Sequence, residues 1–68
     1  MNKEYVTLAT SQNIEKLAKM IANYFYSDIK LQLNGETQQW DLYNAKGKLE
    51  NFRVIIENKR AKFQSILL

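Results

Sequence analysis

Apolar residues recur at two different spacings along this chain, and the switch between them predicts its elements. Over residues 11–26, "SQNIEKLAKMIANYFY", Ile14, Leu17, Ala18, Ile21, Tyr24 and Phe25 fall three and four apart. Glu15, Lys16, Lys19 and Asn23 lie mostly outside that stripe, so the segment reads as one amphipathic helix. Thr10 or Ser11 is placed to cap its start, and Glu15 suits the positive end of the helix dipole. From residue 28 the period falls to two. In "DIKLQL", Ile29, Leu31 and Leu33 alternate with Lys30 and Gln32, the mark of a half-buried strand. Upstream, "YVTLA" fits either a short strand or an apolar arm folded on the body, and the pattern does not separate the two.

Turn residues divide the rest. Asn34–Gly35 is a strong signal for a two-residue hairpin, because both central positions of a type I′ turn need positive φ. Such a turn sets Leu33 opposite Glu36, Leu31 opposite Gln38 and Ile29 opposite Trp40. Trp40 then shares a face with the three aliphatic residues, and Leu42 extends it. "NAKGK" at 44–48 predicts a second turn, braced by the Asn44 side chain, with Gly47 in the left-handed position of a bulged turn. A third strand follows, placing Phe52 opposite Trp40 and Val54 opposite Gln38, with Phe52, Val54 and Ile56 on the Trp40 face.

The tail, "ENKRAKFQSILL", leaves three readings open. A helix over 49–67 gathers Leu49, Phe52, Ile55, Ile56, Phe63, Ile66 and Leu67 on one side, but puts Lys59 inside that stripe. A hairpin about Asn58–Lys59 pairs Glu57 with Arg60, Ile56 with Ala61 and Val54 with Phe63, and leaves Lys59 at an exposed tip. A short terminal helix capped by Asn58 is the third. The hairpin is favoured because every apolar member of its pairs reaches the Trp40 face. The expectation is therefore one small α+β domain over residues 1–68. A helix at about 11–26 packs on an antiparallel meander at about 28–33, 37–43 and 48–56, with a fourth strand or short helix at 60–67.

Composition narrows the function more than the fold. A chain of 68 residues has a thin core, since it buries only about 60% of its unfolded surface. It has no cysteine and no histidine, so disulfides, thiolate-held metals, the commonest metal ligand and the usual near-neutral acid–base group are all missing. Self-association is the remaining way to gain stability, and a homodimer joined by sheet edges or by a second sheet face is economical. No stretch approaches the ~20 apolar residues of a membrane span. The start, "MNKEYVTLATSQN", lacks the apolar region of a secretory signal, so the expected compartment is the cytoplasm.

Catalysis is not expected. Ser11, Ser27, Ser65, Thr7, Thr10 and Thr37 have no histidine to activate them. Asp28 and Asp41 come near one another at the open end of the first hairpin, where a neighbouring lysine and water separate them more readily than a catalytic dyad forms. The two glycines are both used by turns, so no phosphate loop exists, and neither cofactor nor metal is expected.

Charge points elsewhere. Residues 1–45 carry four basic and five acidic groups, a net of −1, while residues 46–68 carry six basic and two acidic, a net of +4. Lys46 and Lys48 bracket Gly47 at one predicted tip, and Lys59, Arg60 and Lys62 form a second cluster. Arg53, Ile55, Lys62 and Gln64 fall on the sheet face opposite the core, with Tyr43 near the second turn. Cations and aromatics on one sheet face can hold a nucleic-acid strand by charge and stacking. The same lysines also serve a plainer purpose, protecting sheet edges from aggregation. The expected function is non-enzymatic nucleic-acid binding or regulation, with phosphate contacts from Lys46, Lys48, Arg53, Lys59, Arg60 and Lys62. The alternative is a protein-binding adaptor or inhibitor that uses an uncovered sheet face or edge strand, motivated by leftover apolar residues such as Met20, Tyr26, Ile55 and Ile66.

One short stretch, "NGETQQW", resembles the hairpin in the DNA-binding domain of the histone-like nucleoid-structuring proteins. The matching residues are Asn34, Gly35, Glu36, Thr37 and Trp40, within seven of the 68 positions. The resemblance implies a hairpin whose tryptophan precedes a short Gln-Gly-Arg type loop that enters the DNA minor groove. Here Lys46–Gly47–Lys48 comes later than that loop, and the threonine–proline start of the family's next helix is missing.

Overall fold

The computed structural model describes residues 4–67. Seven elements follow one another: β1 (Tyr5–Ser11), α1 (Ile14–Phe25), β2 (Lys30–Asn34), β3 (Gln39–Asn44), β4 (Gly47–Lys48), β5 (Phe52–Glu57) and β6 (Arg60–Ile66). One helix packs on one face of a six-stranded antiparallel sheet, an α+β fold. The strand order is β1-β6-β5-β3-β2, with the short β4 pairing β3. The expected helix and meander are both present, and the tail forms the expected fourth strand of the meander, here β6. The segment "YVTLA" is a strand. It pairs with β6 at the far edge, so α1 carries the chain from one edge of the sheet to the other.

Local chemistry explains the helix ends. Asn13 is the N-cap, its Oδ1 accepting from the Glu15 and Lys16 amides at 2.8 and 3.2 Å. Thr10 and Ser11, expected as caps, belong to β1 instead, although Ser11 Oγ still accepts from the Asn13 amide at 3.1 Å. At the other end Tyr26 is left-handed (φ 53°), and the Ser27 amide reaches back to the Ala22 carbonyl at 3.1 Å.

The three turns differ in how well their residues foretell them. At the last, Asn58 and Lys59 both take positive φ (53° and 63°), and the pairs Glu57–Arg60, Ile56–Ala61 and Val54–Phe63 form as expected. The first turn is longer than Asn34–Gly35 suggests. Leu33 faces Trp40 and Leu31 faces Leu42, in place of Leu33–Glu36 and Leu31–Gln38. The Asn34 side chain accepts from the Glu36 and Thr37 amides at 2.9 and 3.3 Å, and its carbonyl accepts from Gln38 at 2.9 Å. Positive φ therefore falls on Gln38 (60°) rather than on Gly35. The longer loop matches apolar residues with apolar ones across the strands, which the two-residue turn does not.

In the second turn Asn44 pairs with Gly47, whose φ of 126° requires glycine. The expected continuous strand from 48 to 56 is broken, however. Leu49–Asn51 leaves the ladder, tied by the Leu49 amide to the Leu42 carbonyl at 2.8 Å, and Trp40 consequently faces Val54 rather than Phe52. Both register changes are even numbers of residues, so each side chain keeps the face expected of it.

The core on the helix side is Leu17, Ile21, Leu42, Val54, Ala61 and Phe63, all essentially buried. Trp40 packs against it but is only half-buried. Phe63 lies 5.5–6.0 Å between ring centroids from Tyr24, Phe25 and Phe52, in one aromatic cluster under the end of α1. That single helix lies closest to β1 and β6. Away from it, Leu33 and Ile56 remain about half exposed.

Candidate nucleic-acid interface

Among the described residues, no helix lies over the second face of the sheet. The strand registers place on it Tyr5, Thr7 and Thr10 from β1, Lys30, Gln32 and Asn34 from β2, Gln39, Asp41 and Tyr43 from β3, and Lys48 from β4. Arg53, Ile55 and Glu57 from β5 and Arg60, Lys62, Gln64 and Ile66 from β6 complete it. Five cations (Lys30, Lys48, Arg53, Arg60, Lys62) meet two carboxylates (Asp41, Glu57), and 5 − 2 gives +3, equal to the net charge of the whole chain.

A chain of polar contacts orders the middle of this face. Arg53 donates through Nε to Gln64 Oε1 at 2.9 Å, and Gln64 Nε2 donates to Thr7 Oγ1 at 3.0 Å. The Arg53 guanidinium lies 3.5 Å from the centroid of the Tyr5 ring. Under this lid Gln64 is only 8% exposed, although none of the described helices or strands covers it. Both ends of its amide are satisfied, as a buried amide requires. Nε is the Arg53 nitrogen that this contact uses, so the two terminal nitrogens keep their donors for another acceptor. They sit on an aromatic ring, which orients a planar cation well for a phosphate.

The other cations have weaker ties. Lys62 pairs with Glu57, and Arg60 donates through Nη2 to Thr10 Oγ1 at 3.1 Å. Lys48 stands 3.7 Å from Asp41, whose other partner is the Asn34 amide group at 3.3 Å. The Glu57 carboxyl is held below its ordinary range, first by the Lys62 hydrogen bond, then by the Lys62 charge, with a smaller pull from Arg53. Such exposed pairs contribute little to stability and exchange readily for a stronger anion.

Of the six cations expected to bind phosphate, the fold brings Arg53, Arg60 and Lys62 together across β5 and β6, with Lys48 on the same face beyond Asp41. It does not unite the two lysine-bearing tips. β3 and β5 run antiparallel and each turn follows its strand's C-terminal end, so Lys46 and Lys59 stand at opposite ends of the sheet, roughly 20 Å apart. Residue reasoning missed Tyr5, Thr7, Thr10 and Lys30. The first three join the face only because β1 pairs with β6 across more than fifty residues of chain, and no local pattern carries that information. Asp28 and Asp41 are not opposed, since Asp41 faces Gln32. Among the described residues there is no cluster of three or more side chains suited to a metal ion, and no helix is long and apolar enough to cross a membrane.

Fold and face together define an α+β domain with one covered and one open, basic sheet face. No protein-family model matches the chain, no curated protein is significantly similar to it, and no solved structure matches its fold significantly. The likeness of Asn34–Trp40 to the nucleoid-structuring hairpin rests on those residues alone.

Proposed function

We propose that this is a small, non-enzymatic, cytoplasmic nucleic-acid-binding protein, regulatory in role, that lays a nucleic-acid backbone across the open face of its sheet. The observation that carries the reading is the row of Arg53, Lys62 and Arg60 along one face of β5 and β6, with Arg53 set on the Tyr5 ring, where no described element covers the sheet. Arg53 contacts phosphate through its terminal nitrogens, and Arg60 and Lys62 trade their present partners for phosphate oxygens. Lys48 extends the track, while Lys46 and Lys59 reach the backbone only beyond either end of the sheet. Tyr43 gives bases a surface to stack on, and the Arg53 guanidinium plane over Tyr5 gives another, which suits a single strand better than a duplex.

The test is fluorescence anisotropy with labelled single-stranded DNA, single-stranded RNA and duplex DNA from ~50 to ~200 mM salt. Each phosphate contact on a single strand contributes about −0.7 to the log–log salt slope, so three or four contacts predict roughly −2 to −3. Replacing Arg53, Arg60 and Lys62 together by glutamine should lower the slope's magnitude by about 2, whereas Lys16→Gln with Lys19→Gln on the helix should leave it unchanged. No binding at ~50 mM salt, or equal losses in the two variants, would sink the proposal.

A second reading has its own observation. Met20, Leu33 and Ile56 are 43, 49 and 55% exposed, and all three are apolar. A partner protein covering them would make the chain an adaptor or inhibitor. Retention of one stoichiometric partner from nuclease-treated lysate, lost on Leu33→Lys, favours that reading over the first.

A further inference from the structure

The two edges of the sheet are built differently, and the difference concerns a second copy of this chain. β2 is five residues long and carries Lys30, and its neighbour β3 is capped in part by β4. A charged residue on a short edge strand is how sheets avoid sticking to one another. β1 is seven residues long, "YVTLATS", and has no charge at all. A bulge between Thr7 and Ala9 is its one irregularity.

Its backbone is half used. The Leu67 amide donates to the Glu4 carbonyl at 2.8 Å, and this sets the alternation along the strand. Glu4 and Val6 turn their backbone groups toward β6, so Tyr5 and Thr7 turn theirs outward from the sheet. Beside that outward row, Val6 and Leu8 are 43 and 39% exposed.

We propose that two copies of the chain pair antiparallel through β1, giving a continuous sheet with β1 beside its symmetry mate at the centre. Three features select a second copy as the occupant. A two-fold pairing sets each residue against the same short segment, which is tolerated only if the segment carries no charge to repel its copy, and β1 meets that condition. The two strands are unpaired in the same N–H and C=O groups, so each supplies what the other lacks. Val6 and Leu8 of both copies then come together beside the seam and lose water contact.

The symmetry has a consequence for the open face. Antiparallel pairing of identical edges needs a two-fold axis perpendicular to the sheet, and such an axis keeps both helices on one side and both basic faces on the other. Arg60 and Lys62 lie on β6, next to the seam, so the two clusters become neighbours on one continuous surface. The pairing itself does not depend on nucleic-acid binding, and its test does not use nucleic acid.

Sedimentation equilibrium from about 5 to about 500 μM should show a rise from 8.0 kDa toward twice that mass. Leu8→Lys should hold the chain at monomer mass, while Leu33→Lys, on the opposite edge, should leave the rise intact. Amide exchange on the unaltered protein provides a readout independent of both variants. The Tyr5 and Thr7 amides face outward in one copy, so their exchange should slow at least about tenfold between the dilute and the concentrated sample. Monomer mass throughout, unchanged Tyr5 and Thr7 exchange, or dissociation by Leu33→Lys in place of Leu8→Lys would overturn the proposal.

Discussion

The sheet has two faces made from alternate residues of the same strands, and they are held in order by different physics. On the helix side Leu42, Val54, Ala61 and Phe63 are buried under Leu17 and Ile21, and the face is fixed by removing apolar surface from water. On the other side Thr7, Gln64, Arg53 and Tyr5 form an ordered row with no layer above them, held by directed hydrogen bonds and a cation over a ring. Val54 and Arg53 are adjacent in sequence and belong to opposite regimes. Burial without covering structure is what sets Gln64 apart, because side chains alone make its lid. A face arranged this way is ordered before any ligand arrives, and its cations need not be immobilised at the moment of binding.

The sharpest way to break the comparison is to remove one side chain from each face. Phe63→Ala takes a fully buried ring out of the aromatic cluster with Tyr24, Phe25 and Phe52, and such losses cost about 3–5 kcal/mol. In a domain this small that is a large part of the total stability, so Phe63→Ala should be substantially unfolded by circular dichroism at 37 °C. A cooperative unfolding curve close to the original would mean that the helix side is not the main source of stability.

Gln64→Ala, one residue away, should cost much less. It removes the acceptor for the charged Arg53 guanidinium and the donor to Thr7; a neutral hydrogen bond contributes about 1 kcal/mol and one from a charged donor about 1.5–3 kcal/mol where water cannot replace it. Water can replace both, since the lid over Gln64 opens once Arg53 is released. The expected loss is about 1–2 kcal/mol in urea unfolding. The second readout concerns order: Arg53 Nε–H exchange should be slow in the unaltered protein, where Gln64 accepts that proton, and fast in the variant. A stability loss as large as that of Phe63→Ala would show the open face to be a second core and would weaken its assignment as a binding surface.

How much of this was legible in the residues follows the same division. The helix stripe, the inward face of Trp40 and the Asn58–Lys59 hairpin were readable because each depends on neighbours within a few positions. Face assignment survived two wrong registers, at Asn34–Gly35 and at Leu49–Asn51, because side-chain direction repeats every two residues and both errors were even. What could not be read was the pairing of β1 with β6. The partners Thr7 and Gln64 stand 57 residues apart, and nothing in "YVTLATS" names its neighbour. The lid over Gln64 depends on that pairing, so the candidate site was visible as scattered cations but not as an assembled row. The separation of Lys46 from Lys59 escaped for a related reason: two tips rich in lysine look alike in sequence, and only strand direction tells which end each occupies.

The gentlest test concerns Glu57, the carboxylate that shares the open face with the cations. Its folded pKa lies below its ordinary value because Lys62 bonds it and adds a charge. The unfolded chain therefore binds the proton more tightly, and stability rises with pH across the interval between the two values. The contribution is complete above the unfolded value of about 4.3 and disappears as pH falls through the lower folded one. Glu57→Gln abolishes this proton linkage, so the fall in urea midpoint below about pH 4.5 should be shallower in the variant than in the unaltered protein. The two midpoints should meet in acid, and at neutral pH the variant's should lie only slightly lower, because an ion pair in water is heavily screened. The same substitution frees Lys62 and removes a negative charge from the face. If that face meets phosphate, Glu57→Gln should tighten nucleic-acid binding while hardly touching stability. Weaker binding by the variant would mean that Lys62 needs its carboxylate partner to be held in place, and that the open face depends on its acids as well as on its bases.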